Sequence, residues 1–356
     1  MTTVKKISLG LVALLIATAM GCGAPATHLA YGTIPTLNAV AAFRVNNNSA
    51  AFTKIVGSPY PTGNSPSAVV VDPGRQFAYV TNQVDNTISR FAIDNKIGSL
   101  TEIMPRINTG FSPGALIMSP DGSLLFVMNE VSDNIGVYAV KSGLLTQVSG
   151  SPFSVARNPV AMILTPSGKF LYVLNSDETS VFGYAVSSSG ALQQIAGPPA
   201  ATGTGPLAMA VDPGGKFLYI ANTAQNTLSI MSINSATGAL APIAGSPFAT
   251  GTSPVSLTLS TSGQYLYIAN LGSNNVTGYS IAADGQPNLI SGSPFSTVGS
   301  PSLMVTDPDG KFLYVVSQSS KFVSVLQIDF TTGGNLINGP TTTSITQAIT
   351  SLFVTQ

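Results

Sequence analysis

A proline returns along this chain at a nearly fixed interval. Pro66, Pro113, Pro159, Pro206, Pro254 and Pro301 lie 47, 46, 47, 48 and 47 residues apart. Self-similarity at one period marks an array of one structural unit, and it restricts the fold more than any composition value. Each proline is followed by a short apolar run, a tight turn and a second apolar run. The turns read Asp72-Pro73-Gly74-Arg75, Pro120-Asp121-Gly122, Pro166-Ser167-Gly168-Lys169, Asp212-Pro213-Gly214-Gly215, Thr261-Ser262-Gly263 and Asp307-Pro308-Asp309-Gly310. Pro after Asp or Ser, with Gly closing the turn, is type I turn chemistry. Aspartates spaced one per copy do not converge on a shared ion. They are therefore read as turn residues and not as calcium loops, and no metal site is expected.

The second apolar run carries the repeat most clearly. It reads Phe77-Ala78-Tyr79-Val80-Thr81-Asn82 in the first copy and Phe217-Leu218-Tyr219-Ile220-Ala221-Asn222 in the fourth. A continuous apolar run closed by a polar residue predicts a strand buried on both faces. A third strand such as Thr87 to Ile93 follows. A fourth leads to Gly57-Ser58-Pro59-Tyr60 and its counterparts at Gly150, Gly245 and Gly292. Four strands per unit of this length is the size of a propeller blade. Nothing in the unit has the 3.6-residue period that a helical solenoid needs.

Six copies are complete, and the two ends supply a seventh. Ser351-Leu352-Phe353-Val354-Thr355 matches Ser302-Leu303-Met304-Val305-Thr306, an innermost strand. Leu29-Ala30-Tyr31-Gly32, Val40 to Val45 and Phe52 to Val56 read as the other three strands. The expected fold is all-β: a seven-bladed propeller of four-stranded blades, its last blade shared between N- and C-terminal strands. Sharing a blade closes the ring and removes two exposed sheet edges.

Charged residues are only 8% of the 356, and 14 Lys plus Arg balance 14 Asp plus Glu. That excludes a basic nucleic-acid surface, so no nucleic-acid partner is expected. With one Cys and one His, a disulfide or a zinc site of several Cys and His ligands has no material, and no cofactor is expected. His28 stands ahead of the first clear strand and reads as a linker residue.

The N-terminus has the form of an export signal. Lys5 and Lys6 precede an apolar stretch from Ile7 to Met20, too short for a comfortable membrane span. Ala19-Met20-Gly21-Cys22 then resembles the bacterial lipoprotein signal, in which the Cys is lipidated and becomes the new N-terminus. Cleavage after Ala17-Thr18-Ala19 is the competing reading. Residues 1–21 are thus expected as signal peptide, 22–28 as tether and 29–356 as one propeller. The expected location is the cell envelope, with the membrane reached through a lipid on Cys22.

Tyr79-Val80-Thr81-Asn82 is the repeat for which the YVTN family of propellers is named. The wider pattern, from about Leu29 to Gln356, resembles the seven-bladed lactonase family, which includes 6-phosphogluconolactonases. The resemblance implies a catalytic pocket built on a Gly-Pro-Arg-His segment, followed after the next turn by Asn-Glu. Here the matching stretch runs from Ser112-Pro113-Gly114-Ala115 to Met128-Asn129-Glu130. Glu130 matches and is the catalytic candidate. Gly114 and Ala115 stand where Arg and His would, and no other copy restores them.

Lactone opening needs an activated water and a stabilised oxyanion, and a phosphorylated substrate calls for Arg or Lys. The loss of the cationic partner therefore points to a binding or scaffold module at the envelope, for a sugar, lactone or protein ligand. Lactone hydrolysis is the alternative, and a structural envelope component a third reading. On one propeller face the early copies carry Asp85, Arg106, Glu130, Asp133, Arg157, Asp177 and Glu178, while later copies are almost neutral there. Glu130, Arg157, Arg106, Asp177 and Glu178 are the candidate ligand-binding set, with Glu130 and Arg157 nearest the site. The repeated Asn and Tyr are read as structural: Asn bonding its own turn, Tyr packing between blades.

Overall fold

In the computed structural model, residues 27–297, 299–345 and 347–355 are described. The segment read as an export signal, with Cys22, lies outside them. Seven antiparallel sheets of four or five strands follow one another along the chain. We call the strands a to d from the axis outward. Blade 1 is Pro66–Val71, Phe77–Asn82, Thr87–Ile93 and Leu100–Asn108. Blade 2 begins with Pro113–Met118 and Leu124–Asn129, and blade 6 with Leu303–Thr306 and Phe312–Ser317. The sequence expectation of a seven-bladed all-β propeller is met.

Strand b is the buried centre of each blade. Tyr31, Tyr79, Tyr172, Tyr219 and Tyr267 are all fully buried. Their phenols reach into the next blade. Tyr31, Tyr172 and Tyr267 donate to the carbonyls of Gly98, Gly238 and Gly334 at 2.9, 2.8 and 2.7 Å. The tyrosine series is inter-blade packing, as expected.

In blades 1 to 5 strand a opens on the recurring proline, which cannot donate to the ladder and so takes the strand's first place. Pro113 stands opposite Asn129, and the register then shifts so that Leu116 faces Val127. The same shift follows Pro66, Pro159, Pro206 and Pro254. This bulge sets the residue after each proline at one mouth of the ring.

Strand d differs from expectation in one respect. The Gly-Ser-Pro-aromatic motif does not follow it but interrupts it. In blade 2 the outer edge is Leu144–Gln147, then the motif, then Phe153–Ser154, and both pieces pair with strand c. The break leaves a strand c amide without a backbone partner. The motif's serine hydroxyl accepts it: Ala42 N–H on Ser58, Val137 on Ser151, Ile230 on Ser246 and Gly278 on Ser293.

Closure is as expected in kind and shifted in register. Ser351–Val354 is strand a of blade 7 and pairs with Thr27–Ile34. Phe353 faces Tyr31, just as Val305 faces Tyr314. The C-terminal strand therefore sits one residue away from the match of Phe353 with Met304. A strand buried on both faces has no polar alternation to fix its phase.

A second correction concerns His28. It is no linker residue: strand b of blade 7 begins at Thr27, and His28 pairs with Val45 and is 4% exposed.

Candidate functional site

Strand polarity divides the loops between two faces. The loops joining blades and the loops between strands b and c share one, which we call the upper face. The a–b and c–d turns share the lower face. On the upper face the residue after each strand b forms a ring: Pro35, Gln83, Glu130, Ser176, Thr223, Leu271 and Gln318. Glu130 is the only ionisable member.

Two ring side chains reach toward strand a of the next blade. Thr223 donates its hydroxyl to the Pro254 carbonyl, and Gln83 Nε2 donates to Ser112 Oγ at 3.0 Å. Gln83 Nε2 also donates to Glu130 Oε2 at 3.2 Å, and the Glu130 amide donates to the Ser112 carbonyl at 3.0 Å. The carboxylate lies directly over Gly114. A Cβ there would fall 1.8 Å from Glu130 Oε1. The glycine in place of the family arginine and the position of the glutamate are therefore one arrangement. The acid has folded into the space a side chain at 114 would need.

Beside this pair the surface is apolar. Phe111, Val84 and Val131 are 65%, 66% and 70% exposed. The Val131 amide donates to the Phe111 carbonyl, and the Phe111 amide to Ser132 Oγ, so the two loops are stitched together. A fixed carboxylate, a side-chain amide and an exposed ring edge are thus grouped across blades 1 and 2. Such a group can accept and donate to hydroxyls while an apolar surface covers carbon.

The other predicted residues are arranged differently. Arg106 is on strand d of blade 1, at the outer edge, and is held by Glu102 at 2.7 Å with Asp85 at 3.9 Å. Bonding to Glu102 raises its pKa further. Asp85 accepts from the Asn64 amide and side chain at 2.8 and 2.7 Å. Asp133 accepts from the Asn158 amide at 2.8 Å, and Asp177 from Asn158 Nδ2 at 2.8 Å. These three acids clip a b–c loop to the inter-blade loop beside it; elsewhere Ser273 and Gln225 fill the Asp85 role without charge, and Asn86 and Asn226 the Asp133 role. Arg157 and Glu178 remain exposed on the upper face of blade 3.

The asparagine series is structural by a different route than expected. Asn82 accepts from the Gly63 amide and donates to Thr87 and Ser89; Asn222 and Asn270 donate to the equivalent strand c side chains. These three tie strand b to their own strand c, whereas Asn175 donates to the Ala156 and Arg157 carbonyls of the inter-blade loop at 2.7 and 2.8 Å.

Sequence reasoning did not single out Gln83, Phe111, Val84 or Val131. Comparing the position two before each proline would have found Phe111, an aromatic where other copies have Asn64, Arg157, Thr204 and Thr252.

Comparison with known proteins agrees with the fold. The sequence profile of the family described as "Lactonase, 7-bladed beta-propeller" matches residues 24–162 and 164–343. No curated protein matches significantly. A candidate 6-phosphogluconolactonase from Bacteroides fragilis is similar at 19% identity and a TM-score of 0.78, covering 93% of this chain and 98% of that one. The periplasmic gluconolactonase of Pseudomonas aeruginosa is similar at 18% identity and a TM-score of 0.77, covering 93% and 99%. At such identities the structures speak for the fold, while the profile spans nearly the whole propeller. The chain belongs to the lactonase family of seven-bladed β-propellers.

Proposed function

We propose that this propeller is exported, anchored to the envelope by a lipid on Cys22, and binds an uncharged sugar or sugar lactone on its upper face. The observation that carries the reading is the carboxylate of Glu130 lying over Gly114, held by Gln83. A carboxylate and an amide offer the acceptors and donors that hydroxyl groups need, and Phe111 offers an apolar face beside them. A fixed negative charge repels a phosphate, and the ring has no Arg, Lys or His to offset it. A 6-phosphorylated lactone is therefore a poor ligand. The export signal at Lys5 to Cys22 fits a ligand met outside the cytoplasm.

Hydrolysis of a neutral lactone is the second reading, favoured by family membership and by the likeness to a periplasmic gluconolactonase. In it Glu130 takes a proton from the attacking water, and the Gln83 amide faces the developing oxyanion.

The test is one panel: glucono-δ-lactone, its 6-phosphate and neutral glycans, offered to the wild-type protein and to Glu130→Gln. Binding of a neutral ligand without turnover supports the binding module. Turnover above the spontaneous rate, lost in Glu130→Gln, supports the hydrolase. Ligands that bind only on the lower face, or equally well to Glu130→Gln, would sink both.

A further inference from the structure

On the lower face, far from the Glu130 ring, the sole histidine meets two aspartates. His28 Nε2 lies 3.4 Å from Asp309 Oδ2, and donor atoms of His28, Asp307 and Asp309 all fall within 4.8 Å of one another. His28 is 4% and Asp307 1% exposed. Both imidazole nitrogens and Asp307 Oδ2 are buried without a hydrogen-bond partner among the described residues. A buried polar atom left unpaired destabilises the fold, so three gathered in one place call for an occupant.

The repeat explains how these atoms came to be free. In blade 4, Asp212 Oδ1 accepts from the Lys216 and Phe217 amides, and its Oδ2 accepts from the Gly214 amide at 3.0 Å. Asp72 uses Oδ1 the same way in blade 1. In blade 6, Asp307 Oδ1 still accepts from Phe312 at 2.6 Å. The turn's third residue is Asp309 instead of glycine, and Asp307 Oδ2 has no amide. Blade 7 also differs, because its a and b strands come from opposite ends of the chain and no turn joins them. Elsewhere a turn glycine lies against the proline of the preceding turn, as Gly122 does against Pro73. At blade 7 that neighbour is replaced by the start of strand b, which brings His28 to the Asp307 turn.

We propose that His28, Asp307 and Asp309 bind one divalent transition-metal ion, which clasps the N-terminal strand to blade 6. One imidazole and two carboxylates suit zinc and its first-row neighbours better than magnesium or calcium, which prefer oxygen alone. Donor arms of about 2.1 Å at tetrahedral angles stand about 3.4 Å apart, the separation seen between His28 and Asp309. Lys311 Nζ is 3.6 Å from Asp309 Oδ2 on an exposed side chain, free to swing aside. Asp309 is itself exposed, giving the ion a way in.

The chain has a single histidine, which makes the test direct. Untagged full-length protein is stripped with chelator and titrated with zinc, with magnesium as control. The imidazole ¹⁵N signals are followed by NMR, together with metal stoichiometry and the melting temperature. We expect one zinc per chain, shifted imidazole signals and no response to magnesium. At a hundredfold excess over Kd, a domain of this size should melt about 4 °C higher. His28→Gln should abolish these effects. Asp309→Asn, on an exposed turn that tolerates it, should weaken binding at least about tenfold, the loss of one charged ligand. Imidazole signals unmoved by zinc would overturn the proposal, even if zinc bound elsewhere. So would Asp309→Asn binding as tightly as wild type.

Discussion

The tyrosine series offers a comparison that a single-copy protein could not. Tyr172 and Tyr79 occupy the same place on strand b, and both are fully buried. Tyr172 donates to the Gly238 carbonyl at 2.8 Å, whereas the Tyr79 hydroxyl has no partner among the described residues. Burial pushes both phenols far above their usual range. Phenylalanine at 172 removes a hydrogen bond worth about 0.5–1.5 kcal/mol and strands a buried carbonyl. We expect a loss of about 1–2 kcal/mol. The same change at 79 removes a hydroxyl that is buried unpaired, and the result should lie between neutral and about 1 kcal/mol more stable. Urea unfolding reads the difference: at a slope of about 3 kcal/mol/M, a change of 1.5 kcal/mol moves the midpoint by about 0.5 M. Tyr267→Phe should behave like 172, and Tyr219→Phe like 79. Equal losses at Tyr79 and Tyr172, with unchanged slopes, would refute the reasoning.

Gly114→Ala should drive the Glu130 carboxylate off its seat, because the new Cβ meets it at 1.8 Å. Since the far end of a flexible side chain can move, stability should change by less than about 1 kcal/mol, while calorimetry on a neutral sugar ligand should show at least about tenfold weaker binding. Leu352→Ala, at a fully buried site on the four-residue closing strand, should cost about 2–5 kcal/mol in denaturant unfolding. Removal of residues 351–356 should expose the edges of the ring and bring aggregation, visible by light scattering. Cys22→Ser should abolish labelling with a radioactive or clickable fatty acid in a bacterial host; a wild-type N-terminus at Met20 by mass spectrometry would favour cleavage after Ala19 instead.

Much of the fold was legible because the repeat removes ambiguity. One copy of Phe-Leu-Tyr-Ile-Ala-Asn is a short apolar run that fits a strand or part of a buried helix. Six copies at one period, each behind a turn that carries glycine, leave only a blade. What was not legible followed from the same uniformity. Ser351 to Thr355 is apolar on both faces, and its register was missed by one residue because nothing in it distinguishes the two sides. The Gly-Ser-Pro motif was recognised as a landmark, but its serine acts through space, on an amide of strand c that the sequence does not place opposite it.

The upper face shows why charge alone is a weak guide to a site. The sequence concentrates scarce charge on blades 1 to 3, and that concentration is present in the structure. Yet Asp85, Asp133 and Asp177 spend it on clips between loops; Gln225 and Ser273 make the Asp85 contact without charge, and Asn86 and Asn226 make the Asp133 contact. A charged residue that an uncharged one replaces at the same place in a sister blade is doing structural work. Glu130 passes that test differently. Its ring equivalents are Gln, Ser, Thr, Leu and Pro, with no common partner, and only Glu130 lies over a glycine. His28 is the extreme of the same argument: its equivalents include Gln76, Lys169, Lys216 and Lys311, each ahead of its own strand b, and it alone is buried. In a repeat protein, departure from the sister copies is what marks a residue for function, and burial without a partner sharpens the mark.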